Sequence, residues 1–230
     1  MSAAPIIRIQ DLRFAYGQSD FALTVDELSI PVGQRVACVG PSGSGKTTLL
    51  HLMAGILTPE RGRVQVGPDD LSSLSEGQRR AVRIERIGLV FQEFELLESL
   101  TSEENIWLPY LVAPSLSMNA DVQARARTLA ASTGVSHVLG RRPARLSQGE
   151  RQRIALCRAL ITDPNLVLAD EPTGNLDPDS ASAALDLVFE QCAARGATLV
   201  MVTHDHTLLE RFDRVIDMRD LVTRSEGGVA

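Results

Sequence analysis

The chain has 230 residues, 44% of them hydrophobic and 23% charged, with 29 acidic against 23 basic residues and a formal net charge of −6. That is enough chain for one large domain or two small ones with a true core, and an ordinary soluble composition. The acidic balance removes the broad basic surface that would argue for nucleic acid, though it leaves room for a local basic groove.

The opening MSAAPIIRIQDLRF lacks a charged segment followed by an apolar core, so it is not expected to be a secretory signal. IIRIQDLRFAY alternates apolar and polar residues, and FALTVDELSI does so less regularly before the turn PVGQ; both read as strands. RVACVG is a short apolar run leading into a glycine-rich loop. Beyond it, Leu49, Leu50, Leu52, Met53 and Ile56 fall at helical spacing, with Thr58-Pro59 as a stop. GRVQVG reads as an edge strand and IGLVFQ as a buried one. From about Gln92 to Arg145 the character turns helical, through TSEENIWLPYLV and NADVQARARTLAASTGV, as a subdomain inserted into a sheet. Strand–helix alternation then resumes: helix QGERQRIALCRALI, strand NLVLAD, helix PDSASAALDLVFEQCAARG, strand ATLVMVT, helix HTLLERF and strand RVIDM. Such alternation predicts a mostly parallel sheet covered by helices on both faces. The last residues, RSEGGVA, read as a frayed tail. No apolar run approaches the roughly 20 residues of a membrane helix, so the chain is not expected to cross a bilayer. Cys38, Cys157 and Cys192 have no metal-ligand spacing and read as buried thiols in a reducing compartment.

The stretch GPSGSGKT, Gly40 to Thr47, fits G-x-x-x-x-G-K-[ST] and is followed by Thr48. Its glycines let backbone N–H groups curl around phosphate oxygens, and the following helix turns its positive N-terminus to the same anion. Gly40, Pro41, Ser42, Gly43, Ser44 and Gly45 form the loop; Lys46 is placed to reach the β- and γ-phosphates and Thr47 to ligate Mg²⁺. Lys46 is the only lysine among the 23 basic residues, the rest being arginine. A composition so biased to arginine keeps lysine where a compact ammonium, and not a planar guanidinium, suits the site. NLVLADE ends an apolar strand in Asp170 and Glu171. Taken alone, such a pair is more often a solvated turn. Downstream of a phosphate loop, it places Asp170 at Mg²⁺ and Glu171 as base or orienter of the attacking water.

RLSQGERQRIALCRAL narrows the type of nucleotide machine. Leu146-Ser147-Gln148-Gly149-Glu150 resembles the LSGGQ signature of the ATP-binding-cassette (ABC) ATPases, with Gln148 for the first glycine and Glu150 for the final glutamine. The resemblance extends over nearly the whole chain. It implies an α/β P-loop NTPase with a mostly parallel sheet core, an N-terminal antiparallel β subdomain and an inserted α-helical subdomain. The core would span 1–91 and 146–230, and the helical part about 92–145. It also implies that Ser147 and Gly149 cap the γ-phosphate of ATP held by a second subunit. Gln92 matches the glutamine at Mg²⁺ and the attacking water, and His204 the switch histidine at the γ-phosphate. Asp177 matches the residue crossing between subunits, and Tyr16 the aromatic that stacks on adenine. His51, His137 and His206 read as ordinary polar surface or cap residues.

The run LADEPTGNLDPDSA, with IGLVFQEFELLESLTSEENIWLPYLV, is similar to the branch of lipoprotein-release, macrolide-efflux and cell-division ATPases (LolD, MacB and FtsE types). The implied function is ATP hydrolysis with ATP and Mg²⁺, in an ATP-dependent dimer at the cytoplasmic face of the inner membrane. A separate permease would be driven in export, lipoprotein release or mechanotransmission. Phe94, Leu96 and Leu97 are apolar residues that either face a permease groove or pack in the core. The alternative is a soluble ABC ATPase acting on nucleic acid or ribosomes; those typically carry two cassettes or a long insertion, and this chain has neither. A P-loop kinase or GTPase would lack Ser147-x-Gly149 and His204. A module that only binds nucleotide would not need Glu171, Gln92 and His204 together.

Overall fold

The first sheet is built by alternation with one interruption. In β1 (Ile7–Ala15) the buried residues are Ile7 and Ile9, then Leu12 and Phe14, so the period slips by one at Asp11. Asp11 has φ 48°, and the pairing with β4 (Arg61–Val66) shifts register between Gln10 and Arg13. This is a β-bulge. Gly62 lies against it so closely that a Cβ there would sit 2.3 Å from the Asp11 carbonyl oxygen. β2 (Ala22–Ile30) pairs with β1 antiparallel, from Ile7 opposite Ile30 to Ala15 opposite Ala22. The antiparallel order is β2-β1-β4-β5, with β5 only Asp69–Asp70. GRVQVG is therefore not the edge that its sequence suggests, because β4 is paired on both sides.

The computed structural model describes residues 4–17, 21–174 and 178–221. The chain divides into two compact units, Met1–Arg80 with Val200–Ala230, and Ala81–Leu199. The first holds the antiparallel sheet, the strand β3 (Arg35–Val39), apolar and buried after Arg35, helix α1 (Lys46–Met53), β9 (Arg214–Asp217) and the short α7 (Met218–Leu221). β3 pairs with β9 in parallel, from Val36 opposite Arg214 to Val39 opposite Asp217.

The second unit holds β6 (Ile87–Val90), α3 (Ser102–Val112), α4 (Ala120–Ser132), α5 (Gln148–Leu160), β7 (Leu166–Asp170) and α6 (Pro178–Ala193). β6 and β7 pair in parallel, as continuous apolar runs buried on both faces do. The strand β8 (Thr198–Val202), buried at every residue, begins in this unit and ends in the other. The parallel order is β6-β7-β8 in the second unit and β8-β3-β9 in the first. α3 opens on a capping box in which Thr101 and Glu104 satisfy each other's backbone N–H groups, and Asn119 caps α4. α5 is the hub of the unit, touching β6, α3, α4 and α6.

Two local outcomes depart from the sequence pattern. α2 (Glu76–Arg86) has no fully buried residue, and Ala81, Val82 and Ile84 are its only apolar side chains, too few to mark a helix by a repeated apolar stripe. HTLLERF forms a 3-10 turn over His206–Arg211 and not an α-helix, started by Asp205 accepting a hydrogen bond from the Thr207 N–H. The tail RSEGGVA lies outside the described residues.

Candidate active site

In the first unit, β3 delivers the chain into the glycine loop. Gly43 and Gly45 have φ 75° and 92°, in the left-handed region that side chains resist. A Cβ on Gly45 would also come within 2.9 Å of Phe21 Cζ, and one on Gly40 within 2.7 Å of Ser44 Oγ. Gly45 is the N-cap of α1, which has no side-chain cap and no acidic residue in its first turn. A helix start with no side chain at its cap and no acid in its first turn is the arrangement an anion needs. Lys46 is buried, and its Nζ donates to the carbonyls of Gly40 at 2.9 Å and Pro41 at 3.1 Å. The loop thus folds the ammonium into its own concavity. Ser44 Oγ is buried with no hydrogen-bond partner among the described residues. An unmet buried hydroxyl costs about 1–3 kcal/mol, and a phosphate oxygen beside it would satisfy it. The loop fits a polyphosphate.

Thr48 is buried, with its hydroxyl 3.1 Å from the Tyr16 hydroxyl. Tyr16 is 44% exposed, with Phe14 packed edge-on at 4.8 Å between ring centroids. It is an anchored aromatic with a solvent-facing surface, as a stacking platform requires. A cavity of about 390 Å³ brings residues 40–42 together with His204, His206 and the Asp217–Arg219 pair. The Arg219 guanidinium hydrogen-bonds Asp217 and holds its carboxyl down to about 2.

In the second unit, β7 buries Leu166 to Ala169 and leaves Asp170 half-buried at its end. Glu171 follows with φ 42°. A Cβ on Gly174 would meet Gln92 Nε2 and Glu171 Oε2, each at 3.5 Å, so these two side chains converge over one glycine. The structure therefore brings Gln92 and Glu171 together. Gln152 of α5 is buried and donates from Nε2 to the Pro172 carbonyl at 2.8 Å, bracing the turn after Glu171. Among the described residues, five that are not glycine have positive φ, and three of them, Phe94, Glu95 and Glu171, lie next to Gln92 or at the carboxylate. Left-handed backbone costs roughly 1–2 kcal/mol per residue, so this strain is concentrated where chemistry is expected.

Ser147 is the N-cap of α5, and Ser147 and Glu150 form a capping box: the Ser147 N–H donates to Glu150 Oε2 at 2.7 Å, and the Glu150 N–H donates to Ser147 Oγ at 3.3 Å. Glu150 thus has a local reason to replace glutamine. Its carboxyl is held below the usual range, chiefly by the Ser147 backbone N–H, and His137 Nε2 lies 3.2 Å from Oε1. Gln148 is the first residue of the helix and is not among those with positive φ, so this position does not need glycine. Gly149 has open space where a Cβ would stand. Asp177 lies outside the described residues.

The second unit also carries a mostly apolar groove of about 300 Å³, lined by Ile84, Leu89, Phe91, Leu108, Pro109 and Val112, with Arg83, Glu95 and Arg158 among its polar members. Phe94 is buried, so of the two readings open for it the core one holds, while Leu97 is 45% exposed. Gln152 and Arg158 lie in the run RLSQGERQRIALCRAL, where nothing in the sequence sets them apart. Their partners are 20 and more than 60 residues away.

The ABC transporter family profile matches residues 23–174. The chain belongs to the ABC transporter family. Among curated relatives of this ABC ATPase, the lipoprotein-releasing system ATP-binding protein LolD of Psychrobacter arcticus is 43% identical over 198 residues, 86% of this chain and 87% of that protein. LolD of Legionella pneumophila is 42% identical over 194 residues, covering 84% and 85%. A dimeric ATP-binding cassette solved in a post-hydrolysis state with ADP and Pi has a TM-score of 0.81 at 28% identity, over 95% of this chain and 97% of that one. A dimeric bacterial ABC transporter cassette has the same TM-score at 30% identity, over 92% and 93%. This ABC ATPase binds and hydrolyses ATP as the energy-converting subunit of a transporter. The alternative of a soluble ATPase on nucleic acid or ribosomes is not favoured.

Proposed function

We propose that this chain is the ATPase of a lipoprotein-releasing ABC transporter, acting as a homodimer on a separate permease at the cytoplasmic face of the inner membrane. The observation that carries this reading is the likeness to LolD proteins over 84–86% of the chain. No helix among the described residues is long and apolar enough to cross a membrane.

In this reading Tyr16 stacks on adenine, and the Gly40–Thr48 loop with Lys46 cradles the phosphates. Ser147 and Gly149 of a second copy close over the γ-phosphate, with Gln148 and Glu150 beside them and Asp177 crossing between copies. Gly149 supports this: a helical glycine costs about 1 kcal/mol against alanine, and none of the described residues occupies the space beside it. Glu171 takes the proton of the attacking water, Gln92 orients that water, and His204 senses the γ-phosphate. Thr47, Asp170 and Gln92 would hold Mg²⁺, and the ion would supply charge neutralisation on the transferring phosphoryl group. Among the described residues no group of three or more His, Cys, Asp or Glu side chains converges. One hydroxyl, one carboxylate and one amide oxygen suit Mg²⁺, which takes its remaining ligands from phosphate and water. ATP drives closure because it binds the closed dimer better than the open one; loss of the γ-phosphate reverses that difference.

The apolar groove receives a cytoplasmic helix of the permease. Val112 lines it and is 55% exposed, so Val112→Asp should leave basal turnover intact and abolish stimulation by a reconstituted permease. Cells relying on that variant should retain lipoproteins in the inner membrane. Normal stimulation and release in the variant would remove the groove from the interface.

A further inference from the structure

Helix α5 starts at Ser147 and reaches both loops that carry the hydrolysis residues. Near its C-terminal end, Arg158 donates from Nη2 to the Phe94 carbonyl at 2.6 Å and from Nη1 to the Glu95 carbonyl. These are consecutive residues in left-handed conformation, φ 62° and 48°, and they follow Gln92 by two and three positions. The next stretch is pinned separately by the fully buried Asn105. Its side-chain oxygen accepts from the Leu97 N–H at 2.8 Å, and its amide donates to the carbonyls of Leu97 and Thr101 at 3.1 and 3.0 Å.

Burial lowers the Arg158 pKa to about 10, opposed by Glu95, so the group stays charged at neutral pH. A half-buried cation still pays for lost hydration unless hydrogen bonds compensate it, and here two loop carbonyls do so. A planar guanidinium can meet two successive carbonyls at once, which a point-charge ammonium does less well. Arg158 and Glu95 are also part of the groove lining, so the group that holds the loop is exposed to whatever enters the groove.

We propose that Arg158 is a positioning residue for ATP hydrolysis, its guanidinium holding Phe94 and Glu95 in the left-handed turn that sets Gln92 beside Glu171. The proposal rests on the reading of Gln92 as a hydrolysis residue, and it makes Arg158 the side chain through which an occupant of the groove acts on that glutamine.

The test is ATP turnover and thermal melting of the purified full-length protein. Arg158→Gln and Arg158→Lys should lower kcat by about 10- to 100-fold, the cost of a small misplacement. KM for ATP should stay within about twofold, since the phosphate loop is built by other residues. Adding Glu95→Gly to either variant should recover much of the lost kcat, because glycine enters the left-handed region without the bidentate clamp. A role confined to core packing would give no such recovery. Wild-type kcat in both single variants overturns the proposal, as does a loss that Glu95→Gly does not relieve. If Arg158→Gln fails to fold, Arg158→Lys with and without Glu95→Gly carries the same comparison. Gln92→Ala is measured alongside: full activity there defeats the reading of Gln92, and the proposal with it, without reference to any Arg158 variant.

Discussion

The phosphate loop and the carboxylate turn both need left-handed backbone, and they obtain it in opposite ways. The loop uses glycine, at Gly43 and Gly45 with φ 75° and 92°. The carboxylate turn and the segment after Gln92 use Glu171, Phe94 and Glu95, with φ 42°, 62° and 48°. Where the backbone N–H is itself the binding group, a side chain would only obstruct the phosphate, so glycine is used. At Glu171 a side chain must be presented and glycine would delete the chemistry, so strain is accepted there; at Phe94 and Glu95 the left-handed backbone is held from outside. Both clamps come from α5: Gln152 on the Pro172 carbonyl, and Arg158 on Phe94 and Glu95.

The largest effect should come from the strained carboxylate. Glu171→Gln keeps the shape and removes the base, a contribution of roughly 10²–10⁴-fold. Turnover should nearly stop while ATP binding survives, and ATP should trap a dimer visible by size-exclusion chromatography. Glu171→Gly sharpens the contrast: it should be equally inactive yet melt no lower than the wild type, since it relieves the left-handed strain. Normal turnover in Glu171→Gln would remove this residue from the chemistry.

Lys46→Arg probes the loop side. The ammonium is folded in by carbonyls at 2.9 and 3.1 Å, a space sized for a point charge. A guanidinium must displace those contacts. Losing a charge-assisted hydrogen bond worth about 1.5–3 kcal/mol should weaken ATP binding by at least tenfold in a titration. Undiminished affinity would show that the single lysine is a matter of composition alone.

Gly45→Ala should act on stability more than on chemistry. It combines φ 92° with a contact 2.9 Å from Phe21 Cζ, whereas Gly43→Ala meets open space and carries only the backbone penalty. That penalty alone is about 1–2 kcal/mol, or roughly 2–8 °C of melting temperature for a chain of this size. Gly45→Ala should melt lower than Gly43→Ala; the reverse order would mean that Phe21 yields freely.

The difference between the regions also explains what the sequence made legible. The phosphate loop is written in adjacent residues, because its chemistry is backbone and one helix start, so Gly40 to Thr48 could be read directly. The strands came through where burial alternates or is continuous. Pattern alone does not decide pairing: β4 reads as an edge because only the register of β1 and β5 shows both sides filled. The bulge at Asp11 is a one-residue slip in an otherwise regular alternation, and its partner Gly62 lies some fifty residues on. α2 has only three apolar side chains and fully buries none of them, so its sequence carries no repeated stripe. The convergence of Gln92 and Glu171 was expected from family likeness, but the clamps were not. Gln152 and Arg158 act on carbonyls, which carry no residue-specific mark in a sequence.

The smallest predicted effect concerns the two helix starts. α1 has neither a side-chain cap nor an acid in its first turn, whereas α5 is self-capped by Ser147 and Glu150. The Glu150 carboxyl is lowered in the folded state, first by the Ser147 N–H and then by the Ser147 hydroxyl and His137. A lowered carboxylate pKa contributes stability that is present above its unfolded value, near 4.5, and is lost as pH falls through the folded value. Glu150→Gln should therefore melt slightly below wild type at neutral pH, by the effect of an exposed acid at a helix start, about 0.3–1 kcal/mol before solvent screening. The two melting curves should converge between neutral pH and the acid side of that range. The same variant removes a negative charge from the helix start proposed to face a partner's γ-phosphate, so ATP should induce its dimer at lower concentration. A dimer that instead needs more ATP would mean that the Glu150 carboxylate serves the cap so strictly that α5 cannot present Ser147 without it.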